Sequence, residues 1–312
     1  MEAIMKAIRI HEYGGPEQLR YEETPEPQAG SGQVLVRVHA ASVNPIDHKL
    51  ASGAMRQFMP LSLPWIPGGD FSGIVEAVGA GVTGVKKGDA VYGDTPTGGA
   101  YAQLVVAAAG MIGPKPSNLS HAEAASVPLA GQTAWQGLFQ HGHLERGQTV
   151  LIHGGSGGVG FFAVQLAHWK GAKVLATGSA ANLDFLRSLG ADQAIDYKAT
   201  RFESVVKNVD LVLDLIGGET QRRSFGVLKS GGFLIATAQP ASEKDAAEHK
   251  VHAMMMRMQA STIDLAQLAK LLEAGTIKTI VSKKYPLSQA REAWADILSG
   301  HTRGKIVMEI AG

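Results

Sequence analysis

The sequence predicts an α/β protein: a doubly wound parallel sheet in the middle of the chain, preceded by an irregular, mostly β region. Three observations carry this reading. From about residue 120, short apolar strands alternate with helical segments, the pattern of successive βαβ units. An aliphatic run, Val150-Leu151-Ile152-His153, opens into Gly154-Gly155-Ser156-Gly157-Gly158-Val159-Gly160, then into a helix-like stretch stopped by Gly171. Before residue 125, apolar residues alternate over short stretches separated by Gly and Pro, as in antiparallel sheets.

In chain order, the first region reads as strands at 33–40, 73–79, 90–92 and 102–106. Pro25, Pro27, Pro60, Pro64 and Pro67 mark loops, because proline cannot donate to a central ladder. The middle region reads as strands at 149–153, 173–176, 193–195, 209–213 and 232–237, with a sixth near 251–258. Helices are expected at 158–170, 181–189 and 219–229. The last stretch is mixed, with helices at 265–274 and 288–299 and a closing strand at 305–310.

At 312 residues, 45% apolar and 18% charged, the chain can bury a large core and is expected to form two domains. A net charge of +1, with scattered Lys and Arg, gives no footprint for nucleic acid or a membrane surface. The absence of cysteine excludes disulfides, thiolate catalysis and cysteine-ligated metals. The first ten residues lack the apolar core of a signal peptide, so a cytoplasmic protein is expected.

Residues 155–160 satisfy G-x-G-x-x-G in a strand-turn-helix context, the fingerprint of dinucleotide binding. Gly155 is expected to make the tight turn, Gly157 to let a pyrophosphate approach, and Gly160 to let the helix pack on the strand. A helix starting at Gly158 offers unpaired N–H groups to phosphate. The expected contacts are Gly155, Ser156, Gly157, Gly158 and Val159. An NAD site carries an acid about 20 residues on. This chain has Thr177-Gly178-Ser179-Ala180-Ala181-Asn182 there, with no acid before Asp184. Ser179 and Asn182 leave room for a 2′-phosphate and can donate to it, which favours NADPH. The alternative is a loop that does not discriminate. Ile216 and Gly217 follow the fourth strand and should approach the nicotinamide side.

Further blocks recur along the chain. They are Ser42-Val43-Asn44-Pro45-Ile46-Asp47, Gly73-Ile74-Val75-Glu76-Ala77-Val78-Gly79, Lys87-Gly88-Asp89-Ala90-Val91-Tyr92-Gly93 and Gly98-Gly99-Ala100-Tyr101-Ala102-Gln103. With the glycine turn and the closing Gly300-His301-Thr302-Arg303-Gly304-Lys305-Ile306-Val307, the chain resembles the zinc-free quinone oxidoreductase (zeta-crystallin-like) branch of the medium-chain dehydrogenase/reductase superfamily. The resemblance implies a GroES-like, mostly β catalytic domain from residues 1–125 and 261–312, and a Rossmann domain over 126–260. It also implies a homodimer formed through the sixth Rossmann strand. Zinc dehydrogenases of the superfamily carry a Cys ligand where this chain has Asn44 or its neighbours, and a G-H-E block where it reads Gly68-Gly69-Asp70. His141/His143 and His249/His252 are the only close histidine pairs, and surface histidines explain them. No metal is expected.

Without a Lewis acid, hydrogen bonds must polarise the acceptor, which suits quinones and conjugated enones. By resemblance Asn44 lies beside the nicotinamide ribose and the acceptor, though Asn also suits a turn before Pro45. Asp47 either orders the site or caps the helix after Pro45. Lys49 stands where many quinone-reducing members carry Tyr and plant-type enone reductases carry Lys. It can polarise a carbonyl or protonate the product, or simply be solvated. The resemblance also places Thr133 at the nicotinamide amide, Tyr197 near the 2′-phosphate and Met256 and Met258 against the nicotinamide. Arg303 and Lys305 are candidates for a cofactor phosphate. The leading expectation is NADPH-dependent quinone reduction, then enone or alkenal reduction, then an NADPH-binding sensor or structural protein.

Overall fold

The computed structural model describes residues 3–300 and 302–310; His301, part of the closing segment above, lies outside them. The chain divides into two compact units. One comprises the residues up to Leu129 and those from Ala260 on; the other is Ala130–Gln259.

The first unit holds β1 (Ile4–Arg9) and β2 (Arg20–Pro25), paired antiparallel. Its larger sheet has seven strands: β3 (Gln33–Val43), β4 (Asp70–Val78), β5 (Ala90–Asp94), β6 (Leu104–Ala108), β7 (Ile112–Pro114), β14 (Val281–Pro286) and β15 (Lys305–Glu309). The order is β14-β15-β3-β4-β5-β7, with β6 also on β3. Val34, Val36 and Val38 alternate inward along β3 and pack with Phe71, Val91, Tyr101, Trp294 and Met308. The helices are α1 (Pro45–Ala51), α2 (His121–Ala125), α9 (Thr262–Glu273) and α10 (Ala290–Leu298). α10 turns Ala290, Ala293 and Trp294 to this core. β15 pairs antiparallel with β3, Ile306 opposite Val43. That register sets Lys305 beside the start of α1.

The second unit is a Rossmann fold. Its strands are β8 (Thr149–His153), β9 (Lys173–Gly178), β10 (Gln193–Asp196), β11 (Val209–Asp214), β12 (Leu228–Ala236) and β13 (His252–Met255). They lie parallel in the order β10-β9-β8-β11-β12-β13. The order reverses between β8 and β11, and ligands bind outside the carboxyl ends of strands at such a switch point. The helices are α3 (Pro128–Trp135), α4 (Gly160–Lys170), α5 (Leu183–Ser188), α6 (Phe202–Val205), α7 (Gly218–Ser224) and α8 (Glu243–His249). α4 is buried on all sides over its first two turns, and Gly171 ends it at φ 82°.

Several elements differ from the pattern reading. α4 begins at Gly160, not 158, because Gly158 and Val159 are still part of the turn. The helix expected over 219–229 stops at Ser224 and tightens into a 3₁₀ turn, Phe225–Val227. β13 ends at Met255, so Met256 and Met258 lie beyond it. α2, α3 and α8 carry too little apolar periodicity to be anticipated. α2 and α8 rest instead on Ser caps at Ser120 and Ser242.

Candidate active site

The glycine turn sits at the carboxyl end of β8. Its left-handed residue is Gly154, at φ 72°, rather than Gly155. Gly155 is small for packing: a Cβ there would stand 2.8 Å from Leu186 Cδ2 and 3.1 Å from Ala176 Cβ. At Gly160 a Cβ would fall 2.2 Å from Gly154 O and 2.7 Å from Gly155 Cα, so the helix meets the turn backbone to backbone. Gly157 is the opposite case. A Cβ there meets only Gly154 O, at 3.4 Å, and otherwise points into open space.

Asn182 joins this turn to the loop after β9. Its Nδ2 donates to Ser156 Oγ at 3.1 Å and to Ser179 Oγ at 3.2 Å, bringing three of the expected residues together. Tyr197 stands on the rim, 56% exposed, with its backbone N–H on Gly178 O. At the end of β11, the buried Asp214 carboxylate accepts from Ile216 N, Gly217 N and Gln221 Nε2, each at 3.0 Å. These bonds fix the turn that carries Ile216, whose exposed side chain leans on Gly154. Gly217 is left-handed at φ 80°. Asp214 escaped the sequence reading; an acid closing a β strand just ahead of a Gly-Gly turn was the available signal. His153 is buried between Thr177 Oγ1 (3.1 Å) and Ser224 Oγ (2.9 Å), and burial pushes its imidazole down to about 4.

α3 carries Thr133, which is buried, and runs into a π-helical segment, Gln136–His141. Gln136 Nε2 donates to Gln259 O at 2.7 Å, and Gln259 N donates to Gln136 Oε1 at 3.0 Å. This pair pins the segment holding Met256 and Met258. Met256 is 3% exposed, and its Sδ lies against Gly137. Met256 thus packs into the core of this unit. Met258 is only partly buried.

The first unit gathers a different set. Asn44 precedes α1 and is 2% exposed. Its Nδ2 donates to Asp70 Oδ2 at 3.0 Å, and its Oδ1 accepts from Lys305 Nζ. Its backbone N–H donates to Asp47 Oδ2 at 2.9 Å, and Tyr101 OH donates to the same oxygen at 2.8 Å. Asp47 thus closes a capping box at the start of α1 and at the same time holds the Asn44 backbone. Asp70 also accepts from Ser42 Oγ at 3.2 Å and from Leu129 N at 2.7 Å. Lys305 Nζ lies 3.7 Å from Asp70 Oδ2. Burial raises the Asp47 carboxyl to about 7, against the pull of the Asn44 and Tyr101 hydrogen bonds. Burial, then the Asp70 and Asp47 carboxylates, hold Asp94 well above the usual carboxylate range. Burial lowers the Lys305 ammonium while Asp70 opposes the shift.

Lys305 is therefore not the surface cation expected at a phosphate. It is 4% exposed and committed to Asn44 and Asp70. Arg303 and Lys49 are exposed, Lys49 on α1 two residues beyond Asp47. Asp70, the partner of Asn44, was missed, as were Tyr101 behind Asp47 and Asp94 behind Asp70, since they lie 26 to 57 residues from Asn44 and are united by the sheet.

Residues 30–117 match the family described as alcohol dehydrogenase GroES-like domain, and residues 189–308 the family described as zinc-binding dehydrogenase. A chloroplastic quinone oxidoreductase of Triphysaria versicolor is 34% identical, covering 98% of each chain. A 2-methylene-furan-3-one reductase of Solanum lycopersicum is 35% identical over 97% of this chain and 79% of its own. The solved quinone oxidoreductase of Escherichia coli, complexed with NADPH, superposes with a TM-score of 0.90 at 28% identity, covering 97% of this chain and 99% of its own. A GroES-like sheet and a Rossmann sheet in one chain define a medium-chain dehydrogenase or reductase, an oxidoreductase class. Within it, this chain belongs to the zinc-free quinone oxidoreductase branch.

Proposed function

We propose that this enzyme uses NADPH to reduce quinones, with no metal in the reaction. The observation that carries the reading is the Asn182 amide, which ties Ser156 of the glycine turn to Ser179 where an NAD site would hold a carboxylate. The open face at Gly157 and the close contact at Gly160 fit a pyrophosphate laid on the start of α4. Gly155, Ser156, Gly157, Gly158 and Val159 would hold the phosphates, Ser179, Asn182 and Tyr197 the 2′-phosphate end, and Thr133, Ile216, Gly217 and Met258 the nicotinamide end. The solved relative from Escherichia coli, by its description complexed with NADPH, supports this cofactor.

A reduced nicotinamide supplies hydride to an electron-poor acceptor carbon. Asn44 would donate a hydrogen bond to the acceptor oxygen, which stabilises the charge that develops there, and solvent or a side chain would supply the proton that completes the reduction. The chain has no cysteine, the superfamily's Cys position falls at Asn44 or its neighbours and its G-H-E block reads Gly68-Gly69-Asp70, so both the thiolate and the histidine that a zinc site of this family needs are missing there. Hydrogen bonding alone suits an acceptor whose reduced oxygen is a weak base, which describes a quinone. A second reading, reduction of α,β-unsaturated carbonyls, is favoured by Lys49, exposed on α1, and by the furanone reductase relative. The half-exposed edge strand β13, with Met254 40% exposed, supports a homodimer through that edge.

The test is the initial rate of NADPH and NADH oxidation, with a chelator present, against 1,4-naphthoquinone and 2-cyclohexen-1-one. NADPH-selective turnover with the quinone is expected. Faster turnover of the enone, lost in Lys49→Ala at unchanged NADPH affinity, selects the second reading. Tight NADPH binding without turnover of either acceptor leaves a sensor or structural protein. Activity lost to the chelator and restored by zinc overturns the metal-free reaction.

A further inference from the structure

Both ends of the Asn44 side-chain amide are held, and charged groups hold them. Its Oδ1 faces the Lys305 ammonium and its Nδ2 faces the Asp70 carboxylate at 3.0 Å. A primary amide turned end for end would set N–H against ammonium and oxygen against carboxylate, two repulsive contacts in place of two attractive ones. Nδ2 has two hydrogens, and Asp70 takes one; the second has no partner among the described residues. The amide's orientation therefore decides whether a donor or an acceptor is presented to a ligand.

The surroundings suit that task better than they suit stability. Lys305 is 4% exposed and Asp70 fully buried, 3.7 Å apart. A buried ion pair contributes little net stability, because lost hydration offsets the attraction. What it does supply is direction. Asp70 is itself anchored by Ser42 Oγ, by Leu129 N and by Asp94. Lys305 is fixed by the pairing of β15 with β3. The Asn44 backbone is held by Asp47, which Tyr101 holds in turn.

We infer that Lys305 and Asp70 are positioning residues for Asn44, fixing its amide so that an N–H, not the carbonyl, is offered to the acceptor oxygen. The inference deepens the proposed function and rests on the donor role given there to Asn44. Neither residue touches the substrate in this scheme; both act through the amide. This also gives Lys305 a task unlike the phosphate contact expected from the sequence.

The test is a double-mutant cycle on the full chain, reading kcat, KM for the quinone, NADPH Kd and thermal midpoint. Lys305→Met should lower kcat about tenfold to a hundredfold, the scale on which a displaced catalytic group is felt, with NADPH Kd unchanged. In an Asn44→Ala background the same substitution should lower kcat by less than about twofold, since the residue it acts through is gone. Lys305→Arg, which keeps the charge and donors, should recover part of the loss. An equal loss in both backgrounds overturns the inference and leaves Asn44's own role standing. A raised NADPH Kd with kcat unchanged also overturns it, in favour of a phosphate contact. If Asn44→Ala alone leaves kcat unchanged, the donor role fails first and the inference falls with it. Should Lys305→Met not fold, because it strands a buried carboxylate, Lys305→Met with Asp70→Asn removes both charges together. That pair should fold and show the same kcat loss, and wild-type kcat there refutes the idea.

Discussion

Gly157 and Gly160 lie three residues apart in one turn, yet alanine at each should do opposite things. At Gly160 the added carbon would stand 2.2 Å from Gly154 O, with Gly155 Cα and C at 2.7 and 2.8 Å, so every close neighbour is backbone. To reach even 3.0 Å, the helix and turn must part by about 0.8 Å. Overpacking of this kind costs about 1–3 kcal/mol, a drop of several degrees in the thermal midpoint. At Gly157 the only neighbour is Gly154 O at 3.4 Å, an ordinary contact, and φ is not left-handed. Alanine there should leave the midpoint unchanged or raise it slightly, because it reduces the freedom of the unfolded chain. Its methyl group, however, occupies the space assigned to the pyrophosphate. The assay is paired: thermal unfolding without ligand, and NADPH binding by fluorescence titration. Gly157→Ala should weaken NADPH binding by about tenfold or more, at about 1.4 kcal/mol per decade, in a fully stable protein. Gly160→Ala should lose stability even without ligand. A Gly157→Ala protein with wild-type NADPH affinity would refute the phosphate cradle. A Gly160→Ala protein with the wild-type midpoint would refute the close contact.

Two further outcomes follow from the same geometry. Asn182→Asp places a carboxylate between Ser156 and Ser179, where it repels a 2′-phosphate; the NADPH to NADH preference should fall by about tenfold or more, and an unchanged ratio of Kd values would place the phosphate elsewhere. His153 titrates near 6.5 when unfolded and is pushed down to about 4 when buried, so between those values the unfolded chain binds the extra proton and stability falls as pH falls. The loss is of the order of 3 kcal/mol by pH 4. The difference between wild type and His153→Gln in denaturant midpoints from pH 7 to 4 isolates it from Asp47, whose raised carboxyl acts with the opposite sign. A constant difference across that range contradicts a neutral, buried imidazole.

The second unit was the more legible of the two, because its signals are local. A strand, a glycine turn and a helix lie consecutively in sequence, and β8 falls at the residues the pattern gives. The grouping of Ser156, Ser179 and Asn182 follows from a single strand-to-strand step. The first unit was legible as short strands and turns, but the environment of Asn44 was not. Its partners Asp70 and Lys305 lie 26 and 261 residues away. Nothing in the local sequence separates a lysine paired at the core of a sheet from one facing water. A capping box at Asp47 was among the readings the sequence offers, because it spans only three residues. Met256 shows the same limit as Lys305: its burial is set by Gly137 on another element, which its own sequence neighbours do not reveal.

The insertion of β15 between β14 and β3 has a consequence for how the protein is made. Synthesis runs from the amino terminus, so the Rossmann unit is complete by Gln259, well before the strand that carries Lys305 has been added. Until then β3 lacks one of its neighbours, Asp70 lacks its counter-ion and the Asn44 amide has only Asp70 to choose its orientation. A chain released just short of residue 305 should thus own an intact nucleotide fold and an unfinished partner, with an open strand edge exposed to aggregation. The side chain inferred to orient the proposed donor follows the whole Rossmann unit in synthesis, so competence for the reaction would report that the first unit has closed.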